Sequence, residues 1–153
     1  MMLTLLAILS FTLGNFIVAG MNLWVYLSTR QDTTKSAQLA MNRLVSEIKD
    51  TAAGGLTTSN TQEITYTDID GNTVDYKQTG TNLIRTFNGS ANTLATGLGS
   101  PEGLKFQYLD INRTVTAVKA NVTSVRITLT TMAGVQPATL ESGARFRAYD
   151  LQQ

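Results

Sequence analysis

The chain opens with an uninterrupted apolar segment. Residues 1–29 contain no Asp, Glu, Lys or Arg. A helix rises ~1.5 Å per residue, so the run that ends at Leu27 is long enough to cross a bilayer core of ~30 Å. Trp24 and Tyr26 lie near its end, where aromatic side chains favour the membrane–water interface. The pattern predicts a transmembrane helix over residues 1–28.

A second apolar pattern follows, and it has the spacing of an amphipathic helix. Four apolar residues recur at intervals of four, three and four: Ala37, Met41, Leu44 and Ile48. Arg43 and Glu47 lie one turn apart on the opposite side. The glycine pair at 54–55 marks the end of this pattern. We therefore predict one long helix over about residues 1–53, whose second half, residues 29–53, buries one face.

Beyond the helix the periodicity changes from about 3.6 to 2, which is the period of β-strands. Asp70-Gly71-Asn72 is a tight-turn signal between two alternating runs, so residues 63–77 are predicted to form a β-hairpin. Further alternating segments predict four strands: residues 82–87, 104–108, 125–129 and 144–148. Residues 90–103 and 132–142 are predicted to be loops.

These elements predict an α+β fold. The strands are joined by short turns, which favours an antiparallel sheet of four to five strands over residues 62–150. Its apolar face needs a cover, and the apolar stripe of the helix provides one. We expect this stripe to pack on Phe106, Ile127 and Phe146 of the sheet.

Composition excludes several kinds of chemistry. The 153 residues include neither histidine nor cysteine, so the commonest general base, the commonest metal ligand and any disulfide or thiolate are missing. The net charge of +1 gives no electrostatic reason to expect nucleic acid as a direct partner. We find no nucleophile–base pair and no phosphate-binding loop. The sequence therefore predicts a protein that is not an enzyme and has no cofactor.

One short motif resembles the opening of a calcium-binding loop. Asp68, Asp70 and Asn72 place oxygen ligands at alternating positions. Thr73 stands where such loops have an invariant glycine, and no glutamate closes the loop. A hairpin turn is the favoured interpretation, and these three residues are only weak metal candidates.

The apolar segment has two other interpretations. It could be a cleaved signal peptide, but no Lys or Arg precedes it and the run is long. It could be an ordinary single-span anchor, but the nearest basic residues follow the span and would hold the remaining domain in the cytoplasm. A basic leader that precedes Met1 would resolve this conflict. We expect such a leader.

Small and polar residues interrupt the span. Gly14, Asn15, Gly20 and Asn22 are more than a simple tether needs. Such residues let helices approach closely and form hydrogen bonds across an interface. We therefore expect them to mediate assembly with other helices, although glycine is also generally enriched in membrane helices.

A long helix, apolar and then amphipathic, followed by an antiparallel sheet resembles the type IV pilin fold. The segments 103–110 (GLKFQYLD) and 124–129 (SVRITL) are similar to those of minor pilins and of the J-type minor pseudopilins of type II secretion. The resemblance implies a filament subunit with a filament-core helix over residues 1–28 and a globular pilin-like domain over residues 29–153. Its partners would be other pilin-like subunits, which it would contact through the N-terminal helix.

The resemblance also implies a location and a role. The subunit would lie in the inner membrane with an extracytoplasmic domain, and then in an extracellular or periplasmic filament. Leu5 stands where most such subunits have a glutamate that pairs with a neighbour's terminal amine, so Met1 and Leu5 are assembly candidates that favour a minor, tip-proximal subunit. The alternative is a single-span, membrane-anchored β-rich module for binding or adhesion.

Overall fold

The computed structural model describes the backbone of residues 2–133 and 136–147. It also describes their side chains, apart from those of residues 2–9, Arg30, Ala53, Ala133 and Gln136. The chain divides into two compact units, Met1–Asp32 and Thr33–Gln153. One long helix, α1 (Met2–Lys49), begins in the first unit, and its last turns belong to the second. The predicted α+β class, with a long N-terminal helix and antiparallel sheets, is confirmed.

Helix α1 ends earlier than the sequence predicts, at Lys49 and not near residue 53. Oγ1 of Thr51 donates a hydrogen bond to the Ile48 carbonyl at 2.7 Å, a local bond that competes with continued helix. Strand β1 (Thr51–Ser59) follows at once and contains the glycine pair. Gly54 has φ +71, which glycine adopts without strain, at a place where the strand register shifts. The pair therefore marks an irregular strand and not the end of the helix.

The first sheet has five antiparallel strands in chain order. Strand β1 is followed by β2 (Glu63–Asp68), β3 (Thr73–Thr79), β4 (Asn82–Phe87) and β5 (Ser90–Ala95). The hairpin predicted over residues 63–77 is confirmed by the pairing of β2 with β3. Strand β5 corrects the loop predicted over residues 90–103. Its first four residues are exposed, so they carry no apolar alternation that a sequence pattern could reveal.

The second sheet has three antiparallel strands in chain order. They are β6 (Leu104–Leu109), β7 (Ser124–Ala133) and β8 (Gln136–Arg145), and a short 3₁₀ turn (Lys119–Asn121) precedes β7. Strand β8 corrects the loop predicted over residues 132–142. Because it ends at Arg145, it also corrects the strand predicted over residues 144–148, of which residue 148 lies outside the described residues. Of its inward positions, only Leu140 carries a large apolar side chain, and Ala138 and Ser142 beside it are too small to reveal an alternation. The predicted single sheet of four to five strands is therefore wrong, because residues 51–145, as far as they are described, form two sheets.

The core of the second unit lies between the last turns of α1 and both sheets. Met41, Leu44 and Ile48 belong to one buried cluster with Phe106 and Ile127 of the second sheet and with Phe146, which directly follows β8. The same cluster includes Ile64 and Leu83 of the first sheet. Ala37 is also fully buried. One helix face thus covers side chains from two sheets, and burial of a Leu or Ile side chain stabilises by roughly 1.5–3 kcal/mol.

Candidate functional site

The first candidate surface is the apolar part of helix α1. Its side chains are described from Ser10 onwards. Large apolar side chains in this part are exposed to solvent: Phe11 is 72% exposed, Phe16 80% and Trp24 74%. The helix is long and apolar enough to cross a membrane. Apolar side chains at this density lie against lipid or against another protein, because water makes their exposure costly.

Small and polar residues occupy one side of this apolar surface. Gly14, Asn15, Ala19 and Asn22 are spaced so that they share a helix face, whereas Gly20 lies on the other side. A Cβ added at Gly14 or Gly20 would meet nothing within 4 Å. Both sites can therefore accept the close approach of a second helix. Met1 and the side chain of Leu5 lie outside the described residues.

The second candidate site is a polar cluster under the C-terminal end of α1. Oε1 of Glu47 accepts a hydrogen bond from Nε of Arg43 at 2.8 Å. Its Oε2 accepts two more, from Nε of Arg85 at 2.8 Å and from the Tyr76 hydroxyl at 2.7 Å. The Arg85 guanidinium is buried and stacks on the Phe87 ring, with Cζ 4.7 Å from the ring centroid. This glutamate therefore connects the helix to two neighbouring strands, β3 and β4.

The protonation states of this cluster follow from its contacts. Burial works against ionisation of Glu47, but hydrogen bonds from Arg85, Arg43 and Tyr76 outweigh it and lower the pKa of the carboxyl. Burial, together with the hydrogen bond to Glu47, raises the pKa of the Tyr76 hydroxyl. At neutral pH the cluster holds a carboxylate, two guanidinium groups and a protonated phenol.

One feature of the sequence could have indicated this cluster. Leu83, Arg85 and Phe87 occupy alternate positions of β4, and Leu83 and Arg85 both point inward. A charged residue at an inward strand position needs a buried partner of opposite charge. Glu47 is that partner. From helical spacing alone, the sequence predicts Glu47 on the side of the helix opposite the apolar stripe.

A second tyrosine next to the cluster, Tyr66, differs from Tyr76 in the hydrogen bonding of its hydroxyl. Tyr66 on β2 is fully buried, but its hydroxyl has no hydrogen-bond partner among the residues that the structure describes. Burial raises the pKa of this hydroxyl, so it stays protonated. A buried hydroxyl without a partner costs free energy, and most such groups in proteins are satisfied.

The weak metal candidates form the β2–β3 turn. Oδ1 of Asp68 accepts hydrogen bonds from the backbone amides of Asp70 at 2.9 Å and Asn72 at 2.8 Å. Its Oδ2 accepts one from Nδ2 of Asn72 at 3.0 Å. The carboxylate thus stabilises a turn of the Asx type. Among the residues whose side chains are described, no group of three acidic, His or Cys residues could hold a metal ion.

Comparison with known proteins adds no family to this picture. No protein-family model and no curated protein matches the chain.

The two buried tyrosines make a matched pair for a stability test. We expect Tyr76→Phe to destabilise the protein by about 1.5–3 kcal/mol, because it removes a hydrogen bond to a charged carboxylate. We expect Tyr66→Phe to be neutral or stabilising, because it removes a buried hydroxyl that has no partner. Denaturant unfolding of the full chain in detergent measures both. A loss of stability in Tyr66→Phe as large as in Tyr76→Phe would show that the Tyr66 hydroxyl does have a hydrogen-bond partner.

Proposed function

We propose that this protein is a structural subunit of a type IV pilus-like filament or of a type II secretion pseudopilus, and not an enzyme. The observation that carries the proposal is that one helix has two kinds of surface. Its N-terminal part exposes large apolar side chains, and its last turns are buried against two antiparallel sheets. A tether alone does not need to continue into the core of the domain.

The proposal assigns two successive environments to the apolar helix surface. Lipid covers it while the subunit waits in the inner membrane, with the globular domain on the extracytoplasmic side. Helices of neighbouring pilin-like subunits cover it in the filament, which lies in the periplasm or outside the cell. The face with Gly14, Asn15, Ala19 and Asn22 suits the second environment, because small residues shorten the distance between helix axes.

The proposed subunit is a minor one, near the filament tip. This part rests on the resemblance to pilins, in which Leu5 stands where most such subunits have a glutamate. A carboxylate there would cost about 2.5–3.5 kcal/mol in a bilayer unless it were paired. Without that carboxylate the subunit forgoes the pairing with a neighbour's amine. A position that lacks one such neighbour tolerates this loss.

Photo-crosslinking tests the proposal. We expect a photoreactive amino acid at position 19, on the small and polar face, to give adducts with the N-terminal helix of another pilin-like subunit when filaments assemble. The same amino acid at Lys105, an exposed position of β6, is the control and should give no such adduct. Adducts with lipid alone at position 19, in cells that assemble filaments, would favour the membrane-anchored binding module instead.

A further inference from the structure

Strand β8 forms an open edge of the second sheet. The sheet has the order β6-β7-β8, and no strand among the described residues pairs with the outer side of β8. An edge strand presents backbone amides and carbonyls with which another extended chain can pair, and proteins often block such an edge with proline. Strand β8 has one proline, Pro137, as its second residue, and residues 138–145 contain none. Most of this edge is therefore not blocked.

The hydrogen bonds of β7 show which backbone groups of β8 point outward. The amide of Thr130 donates to the Gly103 carbonyl at 2.7 Å, and the Thr130 carbonyl accepts from the Gly99 amide at 2.8 Å. Both groups therefore point away from β8, where Thr130 lies opposite Thr139. In an antiparallel ladder, two residues in such a pair exchange no backbone hydrogen bonds. The amide and the carbonyl of Thr139 thus point to the outer side of β8.

Two more residues of β8 have the same orientation. Hydrogen-bonded and non-hydrogen-bonded pairs alternate along an antiparallel ladder, so Glu141 and Gly143 also direct their backbone groups outward. Both are exposed, as is Thr139, and none of these backbone groups has a hydrogen-bond partner among the described residues. Donors and acceptors that recur every second residue match the backbone of an extended peptide. A helix cannot pair with them, because its amides and carbonyls are bonded within the helix.

A gap in the packing lies beside the same edge, between helix α1 and β8. Its volume is about 340 Å³. Three helix residues and three strand residues line it: Gln38, Met41, Asn42, Leu140, Glu141 and Ser142. Leu140 packs against the buried core but is itself only half-buried. A strand added to β8 would direct every second side chain over this gap, and apolar side chains there would gain free energy by covering Leu140.

The opposite side of this edge carries a charge. The Glu141 side chain is 60% exposed, and its carboxylate lies 3.2 Å from Nε of Arg126 on β7. Side chains directly opposite each other in antiparallel strands lie about 5 Å apart, and opposite charges stabilise such a pair. A basic residue opposite Glu141 is therefore favoured in an added strand, and an acidic one is disfavoured.

We propose that the outer side of β8 is a docking site for an extended segment of a partner protein. The segment pairs antiparallel with residues 138–144, directs apolar side chains over the gap and presents a basic residue opposite Glu141. The second sheet then has four strands. This proposal goes beyond assembly through the apolar helix surface, because the site lies in the unit formed by residues 33–153.

The test uses the full chain in detergent micelles and a synthetic peptide with this pattern, acetyl-Ser-Thr-Val-Lys-Val-Thr-Ser-amide. In the proposed pairing its valines lie opposite Ser142 and Leu140, and its lysine lies opposite Glu141. We expect the peptide to shift the NMR signals of the Thr139, Glu141 and Gly143 amides in a saturable way. Half-saturation should fall on the order of 0.1–1 mM, because ordering a short flexible peptide offsets much of the free energy of binding.

Two N-methylated peptides are the matched controls for backbone pairing. The backbone amide of the central lysine faces β8 in the proposed pairing, whereas that of the following valine faces away. A methyl group on the backbone nitrogen of the lysine should weaken binding at least about tenfold, because it removes a hydrogen bond and holds the strands apart. The same group on the valine nitrogen should change the affinity less than about threefold. Both peptides have the same composition, so a difference between them does not come from adhesion to the micelle.

The charge at position 141 tests the register from the protein side. A peptide with glutamate in place of its lysine should bind the wild-type protein about threefold more weakly. Glu141→Lys should reverse this preference, so that the variant binds the glutamate peptide more tightly. Glu141 is exposed, so we expect the variant to remain folded. Lys105→Glu, which changes an exposed charge on β6, is the control and should leave the preference unchanged.

Four results would overturn the proposal. The absence of saturable shifts at the three amides would show that the edge does not accept a strand. Equal affinities of the two N-methylated peptides would show that the backbones do not pair. A charge preference that Glu141→Lys does not reverse would place the peptide elsewhere on the protein. Concentration-dependent shifts of the same amides without peptide would assign the edge to a second copy of this chain.

Discussion

Leu44→Asp is expected to unfold the unit formed by residues 33–153. Leu44 is fully buried on helix α1, in the cluster that joins the helix to both sheets. A carboxylate there has no partner, and its burial costs more than the loss of the leucine packing alone. Together these effects remove at least ~5 kcal/mol from a stability that is typically about 5–15 kcal/mol. Limited proteolysis and a thermal melt of the full chain in detergent measure the loss.

Leu39→Asp is the matched control for this substitution. It makes the same chemical change on the same helix, but Leu39 is 71% exposed. We expect a change of stability within about 0.5 kcal/mol, as for most surface substitutions. An unchanged melting temperature in Leu44→Asp, or equal losses in both variants, would contradict the packing of the helix face on the sheets.

Glu47→Gln is expected to cause the second largest loss of stability. The substitution leaves the buried Arg85 without its carboxylate, although the side chain keeps its size. Removal of one partner of a fully buried pair costs about 3–5 kcal/mol, and we expect about 2–3 kcal/mol here because the Glu47 side chain is 24% exposed. Denaturant unfolding at pH 7 measures it. Glu141→Gln, in an exposed pair with Arg126, should cost less than about 1 kcal/mol.

The pH dependence of the same variant gives an independent check. The pKa of Glu47 is lower in the folded protein than its ordinary value of 4.5. Its contribution to stability is therefore complete above about pH 4.5 and is lost as pH falls through the lower, folded pKa. We expect the difference in the free energy of unfolding between the wild-type protein and Glu47→Gln to shrink as pH falls below about 4.5. A difference that stays constant down to pH 3 would show that the charge on Glu47 does not matter.

Strong periodicity in the sequence was enough to predict several elements of this fold. The apolar stripe of α1 has helical spacing, and the β2–β3 hairpin combines alternation with a tight-turn motif. Strands β1 and β5 and most of β8 were missed for one physical reason. Their side chains are mostly small or polar, so pairing with a neighbouring strand decides their conformation, and local preference does not.

The polar sites also show that sequence patterns reveal local structure better than contacts between distant residues. Asp68, Asp70 and Asn72 stood out because a turn is a local structure that a short motif can encode. The cluster around Glu47 joins residues up to 38 positions apart, and no local pattern reports such a contact. Arg85 left only a hint, as a charge among apolar residues of one strand. Whether the Tyr66 hydroxyl has a partner depends on the packing of several elements.

The place where Glu47 attaches to the first sheet affects how the domain bears mechanical load. Part of any pull on helix α1 passes through this carboxylate into β3 and β4, and each of these strands is hydrogen-bonded on both sides. A force that enters at an edge strand can peel the sheet one hydrogen bond at a time. A force that enters at interior strands must displace them against neighbours on both sides, so many bonds resist together. The Glu47 contact thus joins the helix to strands whose separation requires many hydrogen bonds to break together.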